Sequence, residues 1–281
     1  MQTLVKISER LFYLTPVQKT DRPVLAAVVG DDHTLLIDAG NSVNHTKLFR
    51  EQLAKHAVKG DYLVLTHSDW DHVFGLSEIK VPVIAQQKTA ENLKHMQTLS
   101  WEDSFLDERV EAGIEIPFCA DAIKLELGNE REIVLSLPQI IFNKTLQINL
   151  GGVTCMIEHV GGDHAEDSTI IYLPEEKILF LGDCLYANLY AEKWNYTVEK
   201  SLQLIQKLES FEAETVFLSH HQSPLTKDEF QKQLSFMKLS AQLTKKHEGN
   251  KENIEQELAQ LLARALTDEE IETVEFYMNG F

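Results

Sequence analysis

Tyr62-Leu63-Val64-Leu65-Thr66-His67-Ser68-Asp69-Trp70-Asp71-His72 is the most informative stretch of the chain. Its apolar beginning predicts a buried strand over residues 62–65. Directly after the strand, four residues of metal-ligand type stand within six positions, as His67-x-Asp69-x-Asp71-His72. On an extended or turning backbone alternate residues point the same way, so His67, Asp69 and Asp71 converge on one side while His72 follows the turn. The arrangement suits a site for two metal ions.

A second interpretation of this stretch is the beginning of a helix. Asp69 or Asp71 could cap the free amides of a helix that runs through His72 to Leu76, because aspartate is a preferred residue at this position. That interpretation alone leaves both histidines without a role. We therefore favour the metal site.

Short β-forming runs separated by turn residues lie on both sides of this stretch. They predict a β-meander at the beginning, a helix over residues 44–57, further strands and a second helix over residues 201–208. The predicted strands are residues 3–7, 11–15, 25–29, 34–38, 62–65, 140–150, 153–160, 168–173, 177–181 and 215–218.

Two regions interrupt this alternation of strands and helices. Residues 86–137 contain a helical stretch and a loop with aromatic residues, and we interpret them as an insertion. Residues 226–281 are charged and have helical periodicity with one break at residues 248–250, which predicts a C-terminal helical extension packed on a domain of residues 1–225.

Three more residues of metal-ligand type lie where predicted strands end. His164 follows a double glycine, Asp183 follows Leu181-Gly182, and His220 follows the predicted strand at residues 215–218. Each is weak by itself, since a lone loop histidine is usually unremarkable and Gly-Asp usually marks a turn. Loops at strand ends can meet in one cleft, so the three together complete a ligand set for two metals.

Composition excludes several classes of protein. The 281 residues include 44 acidic and 26 basic side chains, which gives a net charge of −18 and argues against nucleic acid as a partner. No run of 18 apolar residues occurs and the first ten residues have no apolar core, so we expect a cytoplasmic protein without a membrane anchor. The three cysteines, which lack a C-x-x-C pair, are expected to be free thiols.

Motifs of serine hydrolases, nucleotide-binding loops and H-E-x-x-H zinc enzymes are missing from the sequence.

Over residues 1–225 the sequence resembles the metallo-β-lactamase superfamily, which includes glyoxalase II and lactonases. The resemblance rests on Leu35-Leu36-Ile37-Asp38-Ala39-Gly40, on Thr66 to His72, and on His164, Asp183 and His220 in that order and context. It implies an α+β fold, a four-layer αββα sandwich with the metals at one edge between the sheets.

The resemblance also implies a ligand assignment. One divalent metal ion would take His67, Asp69 and His164, the second Asp71, His72 and His220, with Asp183 bridging the two and a hydroxide between them. His220 is preferred to His221 because it follows the strand by one small residue. The departure is Asp69, since the usual signature has histidine there. Zinc is the first expectation, but a carboxylate shifts preference toward iron or manganese.

These parts predict a metal-dependent hydrolase that acts on a small ester, thioester or lactone through a metal-bridging hydroxide. Asp71 would also orient the nucleophile, and Tyr186 would donate to the developing oxyanion or simply pack in the core. Two alternatives stay open: a di-iron oxidoreductase-like centre, suggested by Asp69, and a metal-binding protein without turnover. We expect a small-molecule substrate as partner and leave a homodimer open.

Aromatic residues near the signature have further predicted roles. Trp70 and Phe74 are candidates to line the apolar side of the pocket. Trp101, Phe105 and Phe118 in the insertion could form a lid, although we favour packing within the insertion for these three.

Overall fold

The computed structural model describes residues 2–129 and 131–281 and has two β-sheets. The first sheet has its strands in chain order, β1 to β7. The first four strands pair antiparallel, and the last four are parallel to one another. The strands are β1 (Leu4–Lys6), β2 (Leu11–Leu14), β3 (Leu25–Val29), β4 (Thr34–Ile37), β5 (Tyr62–Val64), β6 (Val83–Gln86) and β7 (Ile140–Phe142).

The second sheet has the strand order β13-β12-β11-β10-β9-β8, and only β11 and β12 pair in parallel. Its strands are β8 (Thr145–Asn149), β9 (Thr154–His159), β10 (Thr169–Leu173), β11 (Ile178–Phe180), β12 (Thr215–Phe217) and β13 (Leu225–Thr226). The prediction of a single strand over residues 140–150 was wrong, because the chain passes there from the first sheet into the second. Asn143 and Lys144 separate β7 from β8.

Helices cover the outer face of each sheet. Phe49, Leu93 and Ile123 pack from the helices onto the first sheet, and Ile205 and Leu234 pack from the helices onto the second. The helices over the first sheet are α1 (Val43–Ala54), α3 (Gln87–Met96), α4 (Asp103–Glu111) and α5 (Pro117–Leu127), and those over the second are α6 (Val198–Leu208) and α7 (Lys227–Lys246). A separate apolar cluster fills the space between the sheets, so the predicted αββα sandwich is confirmed.

The alternation within β5 explains the continuous apolar run at residues 62–65. Leu63 belongs to the cluster beneath the helices, whereas Val64 belongs to the cluster between the sheets. Successive side chains of a strand point to opposite faces, and both faces of this strand are buried. In a strand buried on both faces, polar and apolar residues do not alternate. The loop that follows β5 therefore begins at the edge of the sandwich.

The C-terminal region contains α7, α8 (Lys251–Leu262) and α9 (Asp268–Asn279). The prediction of one break was wrong, because the chain turns a second time between α8 and α9. Ala263 adopts a left-handed conformation there, with φ 53°, and Thr267 begins α9 with a capping box. Residues of α7 share the apolar core of the second sheet. The domain boundary at residue 225 stays a prediction.

Two further observations concern the whole chain. The three cysteines are buried and form no disulfide, as expected. Among the described residues, no helix combines the length and the apolarity needed to cross a membrane.

Candidate metal centre

The predicted ligand residues lie in loops at one edge of the sandwich. His67 to His72 follow β5 and enter the short helix α2 (Trp70–Val73). His164, Asp183 and His220 follow β9, β11 and β12 of the second sheet. The structure brings all seven together in two groups: His67, Asp69 and His164; and Asp71, His72, Asp183 and His220.

The first group surrounds the carboxylate of Asp69. Its Oδ2 lies 3.5 Å from His67 Nε2 and 3.3 Å from His164 Nε2. One ligand atom from each residue lies within 4.8 Å of the others. Two imidazole nitrogens and one carboxylate oxygen form a donor set that zinc and neighbouring transition metals accept.

The second group surrounds the carboxylate of Asp71. Its Oδ2 lies 3.1 Å from His72 Nε2 and 3.3 Å from His220 Nε2. His221, the alternative in sequence, is absent from both ligand groups of the described residues. The geometry therefore brings His220 and not His221 to this position.

Asp183 lies between the two groups. Its Oδ2 is 3.9 Å from His67 Nε2 and 3.6 Å from His164 Nε2. The same atom is 3.5 Å from His72 Nε2 and 3.2 Å from His220 Nε2. A carboxylate in contact with two histidines of each group has the position of a ligand shared by two ions.

Gly182 allows Asp183 to reach this position. A Cβ at Gly182 would lie 2.8 Å from Thr66 Cβ, which is too close for any other side chain. The residue also has φ +55°, in the left-handed region that glycine tolerates best. The loops after β5 and β11 can therefore approach each other closely only with glycine here.

Several buried atoms of these residues have no hydrogen-bond partner among residues 2–129 and 131–281. They are His67 Nε2, His72 Nε2, Asp71 Oδ2 and Asp183 Oδ1. Carboxylate oxygens and histidine nitrogens lie 3.1–3.9 Å apart here, yet the four atoms named form no hydrogen bond among the described residues. Unpaired buried polar atoms are costly, and they are found together mainly where a ligand satisfies them. The residues thus fit a pair of divalent metal ions.

The carboxylates favour the ionised form despite their burial. Burial by itself would raise the pKa of Asp69, but His67 and His164 offset this and hold the pKa well below its usual value. For Asp71 burial again acts upward, while His72 and His220 lower the pKa to about 2.

His72 and His164 favour the protonated form in the absence of metal. Burial would lower the pKa of His164, but Asp69 and Asp183 raise it to about 9. Asp71, Asp38 and Asp183 likewise outweigh burial and raise the pKa of His72. A metal ion takes the place of these protons, because an imidazole binds it only in the neutral form.

Two carboxylates orient the histidines from behind, and sequence reasoning gave neither a role. Asp38 Oδ2 lies 2.8 Å from His72 Nδ1, and Asp21 Oδ1 lies 3.4 Å from His220 Nδ1. Histidine ligands usually have such a partner at the second ring nitrogen. Asp38 stood in the Leu35 to Gly40 stretch that carries the family resemblance, so a signal was present; Asp21 had none.

The alternative interpretation as a helix beginning is partly correct. A helix does begin at Trp70 with Asp69 in the N-cap position. The side chain of Asp69 makes no capping hydrogen bond and turns to His67 and His164 instead. Capping alone therefore does not account for the residue.

Tyr186 stands beside both groups. Its ring centroid is 5.8 Å from that of His164 and 6.1 Å from that of His220. The hydroxyl is buried and has no hydrogen-bond partner among the described residues. Burial raises the pKa of Tyr186, so the phenol keeps its proton and can donate it in a hydrogen bond.

The predicted aromatic residues divide into two sets. Trp70, Phe74 and Trp101 contact one another in series, edge to face, with ring centroids 5.6 Å and 4.7 Å apart, and belong to the core or pack against it. Phe105 and Phe118 are 46% and 52% exposed, so the expectation that they pack within the insertion was wrong.

Comparisons of the sequence with known proteins find two matches. The sequence model of the Metallo-beta-lactamase superfamily matches residues 20–220. The chain is 33% identical over 66 residues to a metallo-beta-lactamase type 2 of Bacteroides fragilis, a match that spans only 24% of this chain and 25% of that protein.

Solved structures show the same fold. A metallo-beta-lactamase from Pontibacter korlensis aligns with a TM-score of 0.58 and 21% identity, over 84% of this chain and 98% of that one. The stereoselective inverting sec-alkylsulfatase from Pseudomonas sp. aligns with a TM-score of 0.67 and 17% identity, over 99% of this chain but 48% of that one.

Proposed function

The chain belongs to the metallo-beta-lactamase superfamily, and from this premise we propose that it is a metal-dependent hydrolase of a small ester, thioester or lactone. The observation that carries the proposal is the pair of ligand groups that meet at Asp183. Seven ligand-type side chains from two sheets converge there, and four of their atoms are buried without a hydrogen bond among the described residues.

In this proposal His67, Asp69 and His164 hold one divalent ion, and Asp71, His72 and His220 hold the other, with Asp183 shared. When bound, two such ions polarise a carbonyl and lower the pKa of a water from 15.7 to about 7. Zinc suits the mixed nitrogen and oxygen donors, whereas the extra oxygen of Asp69 brings iron or manganese within reach.

The chain's own groups position the reaction. Asp71 reaches His72 and His220 through Oδ2, which leaves its other oxygen to accept a hydrogen bond from the attacking water. Tyr186 keeps a buried, protonated hydroxyl beside both groups. We assign this hydroxyl the role of a donor to the oxygen that becomes negative as the carbonyl is attacked.

Charge limits the substrate class. The net charge of −18 repels polyanions, so a nucleic acid or another extended phosphodiester is a poor substrate. At the centre, three carboxylates offset three of the four positive charges of two divalent ions. Little positive charge therefore remains there to attract a dianionic ester against the net charge of the chain, whereas a small neutral carbonyl compound is not repelled by that charge.

The test is elemental analysis with a hydrolysis assay on the wild type, Asp69→Ala and His164→Ala. His33→Ala is the matched control, because His33 is exposed and belongs to neither ligand group. We expect about two metals per chain and hydrolysis of a generic ester or lactone in the wild type and the control, with both reduced in the two variants. A protein that binds no metal, or that prefers a phosphodiester, would overturn the proposal.

A second candidate, a di-iron oxidoreductase-like centre, is favoured by Asp69 alone. The same analysis separates the two functions. Bound iron with reductase activity and no hydrolysis supports the oxidoreductase, and a colourless protein without iron excludes it.

A further inference from the structure

A cleft opens beside the first ligand group, and the substrate assignment above does not use it. It encloses about 210 Å³. We call it the side cleft, and its lining residues are Ser68, Asp69, Trp70, Asn92, His95, Met96, Trp101, Glu115 and Tyr190. Asp69 belongs to both the side cleft and the ligand group, so a molecule in the cleft reaches the metal centre directly.

The side cleft has acidic lining residues, and His95 is its one lining residue of basic type. Two carboxylates, from Asp69 and Glu115, line it, and none of its lining residues is lysine or arginine. Because Asp69 is a proposed metal ligand, Glu115 is the carboxylate whose charge stays available to a molecule in the cleft. The charge of Arg109 acts on Glu115, but Arg109 does not line the cleft, and among the described residues it forms no ion pair with Glu115 and its Nη2 has no hydrogen-bond partner. Its guanidinium lies 4.7 Å from the Trp101 ring centroid, and its Nη1 donates to the Ser100 oxygen at 2.7 Å.

Glu115 is held in place with one oxygen free. Its Oε1 accepts from the Ile116 amide at 2.9 Å and lies 3.5 Å from the Tyr190 hydroxyl. Within the described residues Oε2 accepts no hydrogen bond and no cation pairs with the carboxylate. Burial raises the pKa of Glu115, and the Ile116 amide and the charge of Arg109 offset this rise only in part. A partly buried carboxylate of this kind gains most from a cationic ligand.

Aromatic rings complete the environment. Trp70, Trp101 and Tyr190 all line the side cleft. Ring faces attract alkylammonium groups, most strongly where the site is partly shielded from water. Pockets for drug-sized ligands enclose roughly 300–1,000 Å³, so the side cleft holds a single small group of about the size of a quaternary ammonium.

We propose that the side cleft is the specificity subsite of this protein and selects a small substrate that carries an ammonium group next to its scissile ester bond. Glu115 pairs with the cation, and Trp101 and Tyr190 contact its alkyl carbons. That the bound molecule is a substrate rests on the proposed function; that the cleft selects a cation rests on the cleft alone.

The first test measures binding with no bond to hydrolyse. Calorimetry compares choline with 3,3-dimethylbutan-1-ol, which has the same shape without the charge, on the metal-loaded wild type. We expect choline to bind at least about 10-fold more tightly, since a hydrogen bond or ion pair to a charged group discriminates by this much or more. Glu115→Gln should remove the preference, and Glu111→Gln, an exposed neighbour at the end of α4, should keep it.

The second test measures hydrolysis of acetylcholine against 3,3-dimethylbutyl acetate, with kcat/KM following the same preference. Equal binding of choline and its neutral analogue to the wild type would overturn the subsite, whatever the variants do. A binding preference lost in Glu115→Gln, with neither ester hydrolysed, would support the subsite and count against the proposed hydrolase. Hydrolysis of both esters at equal efficiency, with equal binding, would support the hydrolase and refute the subsite.

Discussion

Replacing Asp38 by asparagine tests how the centre holds His72. Asp38 Oδ2 lies 2.8 Å from His72 Nδ1 and accepts from Thr66 Oγ1 at 2.8 Å. Its other oxygen accepts from the Thr66 amide at 2.7 Å. Asparagine keeps that last bond through its carbonyl. It tolerates the left-handed φ of 60° at this position, so the backbone is not strained.

The expected cost follows from these contacts. The side-chain NH₂ of the introduced asparagine would replace the oxygen that His72 Nδ1 and Thr66 Oγ1 donate to, so donors would face donors. His72 would then lose the partner that fixes its ring with Nε2 toward the metal. Loss of such a partner weakens metal binding by about 10- to 100-fold, which is about 1.4–2.7 kcal/mol.

The assay is competition for zinc with a calibrated chelator, on the wild type, Asp38→Asn and Asp61→Asn. Asp61 is the matched control, because its Oδ2 accepts from the Thr34 amide at 2.8 Å and touches no candidate ligand. Thermal melts of the metal-free proteins show whether the variants fold. If folded Asp38→Asn bound zinc as tightly as Asp61→Asn, the bond to Nδ1 would not be what orients His72.

Three further predictions concern selectivity, pH and stability. Asp69→His should raise the ratio of bound zinc to bound manganese by about 10-fold after equilibration with both, since nitrogen replaces a hard oxygen donor; an unchanged ratio by elemental analysis would exclude Asp69 as the selector. In the metal-free protein, charge pairing lowers the pKa of Asp71 to about 2 and raises that of His164 to about 9. This pairing stabilises the fold most between about pH 4 and 6.5. The His164 contribution is complete below its unfolded pKa and lost as pH rises through 9, and that of Asp71 is lost as pH falls through 2. Melting temperatures should therefore drop from pH 6.5 to 9.5, and a flat profile would contradict the charge pairing. Tyr277→Ala should lower the free energy of unfolding in urea by about 3 kcal/mol, because the fully buried ring leaves a cavity beside Ser201; Phe281→Ala, at a residue 59% exposed, should change it by less than about 0.5 kcal/mol.

Local patterns predicted the elements whose ends coincide with turn residues. The strand predicted at residues 25–29 has the same bounds as β3, because the turn residues Gly30-Asp31-Asp32 follow it directly and end the strand in the structure. The ligand residues were predictable for the same reason. One strand end is followed within six positions by four residues of metal-ligand type, His67, Asp69, Asp71 and His72. A pattern this dense can be recognised without knowledge of the fold.

Features that depend on tertiary pairing were not predictable in this way. β7 and β8 are both β-forming, and only their partners show that they belong to different sheets: Ile140 pairs with Ile84, and Leu146 with Ile157. The second turn of the C-terminal region falls at Ala263, a good helix former that carries no breaking signal. The Thr267 capping box with Glu270 was a usable signal for the beginning of α9.

The candidate metal centre lies where the two sheets meet, so metal binding there would be coupled to the whole fold. Thr169 of β10 donates to the Thr66 oxygen at 2.8 Å, and the Val24 amide donates to the Ser219 oxygen at 2.7 Å, so backbone bonds already join the sheets beside the ligands. The first group takes His164 and the second takes His220 from the second sheet, while their other histidines follow β5 of the first. In the proposed assignment each ion would therefore connect both sheets, which could not separate while an ion stayed bound. At a free metal concentration 1,000 times the dissociation constant, one ion would add about 4 kcal/mol to the free energy of unfolding, and because the connection would cross from one sheet to the other, that energy would stabilise the sandwich as a unit and not only its loops.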